Sequence, residues 1–104
     1  MTNEYIRYRI PAEQQTAFLA DYAAAAAQLR ASPVCLGYEL SRCEEEDSCF
    51  VLKIVWQSTA AHLQQFRASA QFQQFLPLIR PYVPYIEEMR HYAPTALQWR
   101  RAPA

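Results

Sequence analysis

The chain begins with alternating apolar and polar residues, a pattern that predicts a β-strand over residues 4–10. The apolar face of this strand consists of Ile6, Tyr8 and Ile10. Over residues 12–31 the apolar positions recur every three or four residues, which predicts a long amphipathic helix. Its buried stripe is predicted to consist of Phe18, Tyr22, Ala25 and Leu29.

The next two apolar segments predict a β-hairpin, with strands over residues 34–43 and 49–57 joined by a charged turn at 44–48. In the first of these strands, alternation places Leu36, Tyr38 and Leu40 on one face. The second strand is mostly apolar on both faces, so we expect it to be buried on both sides. Its two predicted faces are Phe50, Leu52, Ile54 and Trp56, and Val51, Lys53 and Val55.

The remaining sequence predicts helical segments followed by a last strand. Ser58 is a natural N-cap for a helix over residues 59–67, which places His62 and Phe66 one turn apart. A second short helix begins at about residue 69, and a fourth strand covers residues 85–92. Regular helix is expected to be interrupted by prolines, at Pro77, Pro81 and Pro84.

The element order is β-α-β-β-α-β, which is the ferredoxin-like arrangement of an α+β protein with a four-stranded antiparallel sheet. Because the helices cover only one face of such a sheet, the other apolar face predicts a homodimer. We expect one domain over residues 1–95. The tail, residues 96–104, carries Trp99, which we expect to fold back or to pack on the partner.

The composition argues against several classes of partner and binding site. The net charge is +0 and no dense basic run exists, so nucleic acid is not an expected partner. A single glycine leaves no phosphate-binding loop, and no apolar run is long enough to span a membrane. The first residues lack a signal peptide's apolar segment, so a cytoplasmic protein is expected.

Metal and disulfide chemistry are not expected from the cysteines and histidines. The three cysteines lack metal-ligand spacing with either histidine, so neither a metal site nor another cofactor is expected. Cys43 and Cys49 flank the hairpin turn and face each other across it, and reduced thiols are the simplest interpretation of them.

The candidate site lies where the third strand meets the following helix. There, His62 is a candidate general base for an acidic phenol, because an unperturbed imidazole titrates near neutral pH. Trp56 stacks on an aromatic substrate in this interpretation, and Tyr38 orients a substrate oxygen. Phe66 and Phe72 form apolar walls that favour flat ligands. The alternative is that all five side chains only pack or cap the core.

The pattern W-x-S-x-x-A-H-x-x-x-F-R-x-S-x-x-F starting at Trp56 resembles the antibiotic biosynthesis monooxygenase domain family. The likeness extends to SPVCLGYEL at 32–40 and MRHYAP at 89–94, and it covers about residues 3–95. The resemblance implies a dimeric α+β barrel of ferredoxin-like subunits, each with a pocket between its sheet and helices. It also implies pocket positions for Trp56 and His62.

The same resemblance implies oxidation of a small quinol or polyphenol by molecular oxygen, without metal or flavin. Two alternatives remain, a dimeric domain that binds apolar aromatics without turnover and a cofactor-free isomerase. Two departures bear on this choice. Leu52 stands where anthrone oxygenases of the family have an asparagine, and Leu76 stands near the helical histidine of haem-degrading members.

Overall fold

The structure is a computed structural model that describes residues 1–103. It confirms the predicted order, with β1 (Thr2–Arg9), α1 (Gln15–Ala31), β2 (Cys35–Arg42), β3 (Cys49–Trp56), α2 (Ala70–Ile79) and β4 (Ile86–Tyr92). Three shorter helical segments connect them, namely two 3-10 turns at Ala12–Gln14 and Arg80–Tyr85 and a π-helical segment at Ala61–Phe66.

The four strands form one antiparallel sheet in the order β2-β3-β1-β4. In the central pair Ile6 lies opposite Leu52, and Glu4 lies opposite Ile54. On its other side Glu4 lies opposite His91 of β4. Because side chains at facing positions of a ladder share a face, β1, β3 and β4 direct these residues toward the helices.

The core lies between this inner sheet face and the helices. The four predicted stripe residues of α1 are all buried, as predicted: Phe18, Tyr22, Ala25 and Leu29. The Phe18 ring lies 5.1 Å from the Tyr8, Tyr22, Phe50 and Tyr82 rings, centroid to centroid. Aromatic contacts at such distances favour tilted and edge-on geometries, which are the ones observed.

The predicted helix over residues 59–67 is wrong in type, because Ala61–Phe66 is π-helical. The Arg67 amide donates to the His62 carbonyl, five residues back, at 3.2 Å. A π-helical turn inserts one extra residue and so redirects the side chains around it. The expectation that Pro77 interrupts the next helix is also wrong. It lies within α2 on its exposed side, where water can reach the carbonyl freed by the missing amide.

The predicted face of β2 is interrupted at Leu36. The register between β2 and β3 shifts between Cys35 and Gly37, and Leu36 is exposed there. Cys35 instead occupies the inner position, opposite Trp56. A strand bulge of this kind moves one residue out of the alternation, which hydrophobic spacing alone does not reveal.

The outer sheet face is only half covered, which corrects the expectation that β3 is buried on both sides. Its inner residues are buried, whereas Val51, Lys53 and Val55 are partly exposed. The tail borders this outer face, and Leu97 and Trp99 line a shallow groove with Lys53 and Val55. Trp99 is still 77% exposed, and the Arg101 guanidinium lies 4.8 Å from its ring. Packing of the tail on a partner stays a prediction, and Ala104 lies outside the described residues.

None of the helices within residues 1–103 combines the length and the apolar character that crossing a membrane requires.

Cys43 and Cys49 face each other across the hairpin turn, as expected, and the Cys43 amide donates a hydrogen bond to the Cys49 carbonyl at 2.8 Å. The three cysteines are free thiols in this structure.

Candidate functional site

The site is built on a stack of Trp56 and His62. Their rings lie 4.3 Å apart, centroid to centroid, and only 9° from parallel. Trp56 is the last residue of β3, and the Ser58 hydroxyl that follows accepts a hydrogen bond from the Ala61 amide at 2.9 Å. This cap starts the helical segment directly after the strand, and the helical turn places His62 over the Trp56 indole. The stack is almost fully buried, with Trp56 1% and His62 4% exposed.

A buried carboxylate completes the contact. The indole Nε1–H of Trp56 donates to Oε1 of Glu4 at 3.1 Å. The same oxygen lies 3.8 Å from Nε2 of His62. Glu4 is 2% exposed, and burial raises the pKa of its carboxyl, an effect that the indole hydrogen bond partly offsets.

A second histidine, His91, contacts His62. Nε2 of His91 lies 2.8 Å from Nδ1 of His62, a hydrogen bond in which either ring can donate. Burial, together with the charges of Arg67 and His91, lowers the pKa of His62 to about 4. The pKa of His91 is lowered too, chiefly by burial and then by Arg67. Neutral His62 therefore prevails at pH 7, with one nitrogen able to accept a proton.

Glu4, Trp56 and His62 line an apolar cavity of about 240 Å³ between the sheet, the π-helical segment and α2. Its walls include Phe66, Phe72 and Leu76, and Arg67 also lines it. A second polar pair borders the same cavity, because the buried hydroxyls of Tyr8 and Tyr22 are hydrogen-bonded to each other. Burial raises the pKa of Tyr8 to about 12, so this pair is protonated at neutral pH.

The Glu4–His62 pair and the Tyr8–Tyr22 pair lie well apart in the cavity. Glu4 and Tyr8 are four residues apart on one face of β1, which corresponds to about 13 Å along a strand. Between them the lining is almost entirely aliphatic and aromatic, including Ile6 and Ile54. The cavity thus suits a flat apolar molecule that carries oxygen atoms on its edge.

The structure brings four of the five predicted site residues together. Trp56, His62, Phe66 and Phe72 all line this cavity. Tyr38 does not, and its placement is corrected. It is 37% exposed on the edge strand β2, where it is hydrogen-bonded to Arg30 and borders a different depression beside α1. The strand order explains this, because β2 is the edge farthest from β4.

Sequence reasoning missed Glu4 and His91. Both lie on inner-face positions of strands that were predicted, two residues from Ile6 and Met89. Each could have been found as a polar residue at a position where the strand alternation predicts a buried apolar one. The side chains of Glu4, His62 and His91 each offer a ligand atom, and these atoms lie within 4.8 Å of one another. Sequence spacing did not reveal this cluster, because its three residues lie far apart along the chain.

The sequence profile of the antibiotic biosynthesis monooxygenase family matches residues 1–78. The chain therefore belongs to the antibiotic biosynthesis monooxygenase family.

The structural comparisons agree on the fold. A putative antibiotic biosynthesis monooxygenase from Bordetella bronchiseptica is 23% identical, with a TM-score of 0.74 over 90% of this chain and 96% of the other. A variant of SnoaB, a cofactor-independent oxygenase from Streptomyces nogalater, is 21% identical, with a TM-score of 0.70 over 94% of each chain. A protein from Chloroflexus aurantiacus is 18% identical, with a TM-score of 0.72 over 94% and 96%. A comparison with curated protein sequences gave no match.

The buried imidazole predicts a pH dependence of stability. The unfolded chain protonates His62 near pH 6.5, whereas the folded chain protonates it only near pH 4. Between these values the unfolded state binds more protons, so the free energy of unfolding falls as the pH is lowered. The contribution of His62 is at most about 3 kcal/mol.

Urea denaturation followed by circular dichroism at pH 7 and pH 4.5 measures this. The His62→Gln variant should lose less stability over that interval than the wild type, because glutamine does not titrate. An equal loss in the two proteins would contradict the depressed pKa of His62.

Proposed function

We propose that the protein is a monooxygenase that oxidises a small planar quinol or polyphenol with molecular oxygen and needs neither metal nor flavin. The substrate lies in the apolar cavity, with one hydroxyl at Glu4 and His62. One observation carries the proposal: a buried carboxylate and a neutral imidazole meet in a largely apolar cavity, against a tryptophan ring.

The chemistry needs only a proton acceptor and oxygen. Removal of a phenolic proton leaves an electron-rich anion that reduces oxygen directly. The substrate then loses two hydrogens and gains one oxygen atom, while the second oxygen atom leaves as water. Electrons balance in this step: a quinol gives up two electrons on oxidation to the quinone and two more when a ring C–H becomes C–OH, and dioxygen takes all four, two for each oxygen atom.

Glu4 and His62 act as the proton-accepting pair. An imidazole with a pKa of about 4 is a weak base in the empty site. A carboxylate 3.8 Å from its Nε2 and a newly formed phenolate both favour the protonated ring. The raised pKa of Glu4 makes its carboxylate the stronger acceptor of the two. The pair therefore takes up the proton, and both members are expected to contribute to the rate.

The remaining walls orient and desolvate the substrate. Trp56, Phe66 and Phe72 present ring faces and edges around the cavity, with Phe66 4.9 Å from the indole and 5.5 Å from Phe72. Such walls hold a flat ring by stacking. They also exclude water, which strengthens the interaction of the anion with the acceptor pair and preserves the reduced oxygen species.

Oxygen consumption tests the proposal. Chelator-treated protein is mixed with a panel of quinols, anthrones and catechols in an oxygen electrode cell. Uptake is expected with at least one planar substrate, with one oxygen consumed per product. Glu4→Gln and His62→Gln should each lower kcat by about 10²-fold or more, because each removes part of the proton acceptor. Glu13→Gln, an exposed carboxylate on the first helical turn, is the matched control and should leave the rate unchanged.

Three results would contradict the proposal. Unchanged uptake in both site variants would remove the acceptor pair from the chemistry. Conversion of a substrate without oxygen uptake would indicate the isomerase. Saturable binding of the panel by folded protein, with no turnover of any compound, would indicate the non-catalytic binding domain.

We also propose that two copies of the chain pair through the outer sheet face. The centre of that face carries Tyr5, Val51 and Val55, which are only partly buried. Asn3 lies on the same face, and its Oδ1 is buried without a hydrogen-bond partner among residues 1–103. A second copy supplies both apolar cover and a donor for that oxygen.

Sedimentation velocity on the Val51→Glu variant tests the pairing. The wild type should sediment as a dimer, and the variant should dissociate at least tenfold more readily, because a carboxylate at the centre of the face is left without water or a partner. Leu19→Glu, on the exposed side of α1, is the control and should remain dimeric. A monomeric wild type at micromolar concentration would overturn the proposal.

A further inference from the structure

We propose that Glu4, His62 and His91 form a binding site for one divalent transition-metal ion of the zinc type. The three side chains come from β1, the π-helical segment and β4, and Glu4 and His62 among them line the cavity. One ligand atom from each lies within 4.8 Å of the others. Two of the three residues are more than nine-tenths buried, which distinguishes this cluster from exposed acidic groups.

The donor set suits the ion. Two imidazole nitrogens and one carboxylate oxygen are the protein ligands of many three-ligand zinc sites, in which a fourth position stays open. Glu4 and His62 line the apolar cavity, so an ion held by them would be accessible from it. The indole of Trp56 donates to Glu4 at 3.1 Å and so holds the carboxylate in place from behind, as outer-shell donors do in metal sites.

Binding requires a small adjustment of the side chains. Ligands about 2.1 Å from a tetrahedral ion lie about 3.4 Å from one another. His62 can give only one of its two nitrogens to the ion: Nδ1 lies 2.8 Å from His91 Nε2, whereas Nε2 is the nitrogen that lies 3.8 Å from Glu4 Oε1. With one ligand atom taken from each residue, the three atoms lie within 4.8 Å of one another. Bringing all three atoms to one ion therefore takes side-chain shifts of up to about 1.4 Å, where the separation is 4.8 Å. Rotation of the half-buried His91 ring is the least restricted way to make them.

One neighbouring charge opposes the ion. Arg67 follows the π-helical segment and lines the cavity, and its positive charge acts on both histidines. The Glu4 carboxylate offsets this charge within the site, and solvent screens the exposed guanidinium. The affinity is therefore expected to rise when the charge of Arg67 is removed.

Metal binding and proton uptake exclude each other at these residues. An ion uses the same lone pairs with which Glu4 and His62 accept a proton under the proposed function. Zinc is redox-inert, so its arrival adds no electron transfer and only occupies the acceptor pair. The inference itself rests on the cluster alone, and its test needs no substrate and no turnover.

Titration of the full-length, chelator-treated protein with Co²⁺ and Zn²⁺ tests the site. Co²⁺ should give the visible absorption of a low-coordinate ion, saturating at one ion per chain, and Zn²⁺ should displace it. His91→Asn and Glu4→Gln should each weaken binding at least tenfold, because each removes a ligand. His91 is half-buried on an edge strand, so its replacement is expected to leave the fold intact, which circular dichroism verifies.

Two matched variants give the controls. Glu13→Gln removes an exposed carboxylate and should not change the affinity. Replacing Cys43 and Cys49 together by serine removes the two thiols at the hairpin, which can bind the same ions, and should leave the cobalt spectrum unchanged. Arg67→Gln should bind several-fold more tightly. Absence of saturable binding by folded wild type, or binding unaffected by His91→Asn and Glu4→Gln, would overturn the inference whether or not oxygen uptake is found.

Discussion

The Trp56–His62 stack is the contact on which the site depends. It joins the end of β3 to the π-helical segment, and the indole hydrogen bond to Glu4 adds β1 to the same contact. Three elements are thus held together by one buried tryptophan, whose ring has an apolar face for stacking and one donor for the carboxylate. Loss of that ring would leave the Glu4 carboxylate buried without its donor, which costs more than lost apolar contact alone.

Burial determines the chemistry of this contact. Away from water, the charged form of each group is disfavoured, so the pKa of His62 falls and that of Glu4 rises. Because of these two pKa shifts, a neutral imidazole and a basic carboxylate lie side by side in the apolar cavity. An incoming proton or cation finds acceptors that have no solvent to compete with, and this is the property shared by the proposed oxygenase and the inferred metal site.

Much of the fold follows from local patterns in the sequence. The stripe on α1, the alternation of β1 and the apolar β3 each predict their buried residues, and the order of elements then predicts the ferredoxin-like sheet. Trp56 and His62 are predictable because an N-cap at Ser58 ties the strand end to the helix start. The position of Tyr38 is not, because it depends on which strand lies at the sheet edge. The pairing of Glu4 with His91 is set by register across 87 positions, from residue 4 to residue 91, which no local pattern contains.

The central claim is that this cavity is a ligand site, and ligand binding at Trp56 tests it most directly. The chain has two tryptophans, so Trp99→Phe leaves Trp56 as the only indole fluorophore. Titration of this variant with a dihydroxynaphthalene should change the Trp56 emission saturably at one ligand per chain. A cavity-filling Leu76→Phe replacement should weaken the binding at least tenfold. No saturable change up to the solubility limit, or equal binding in the filled variant, would contradict the account.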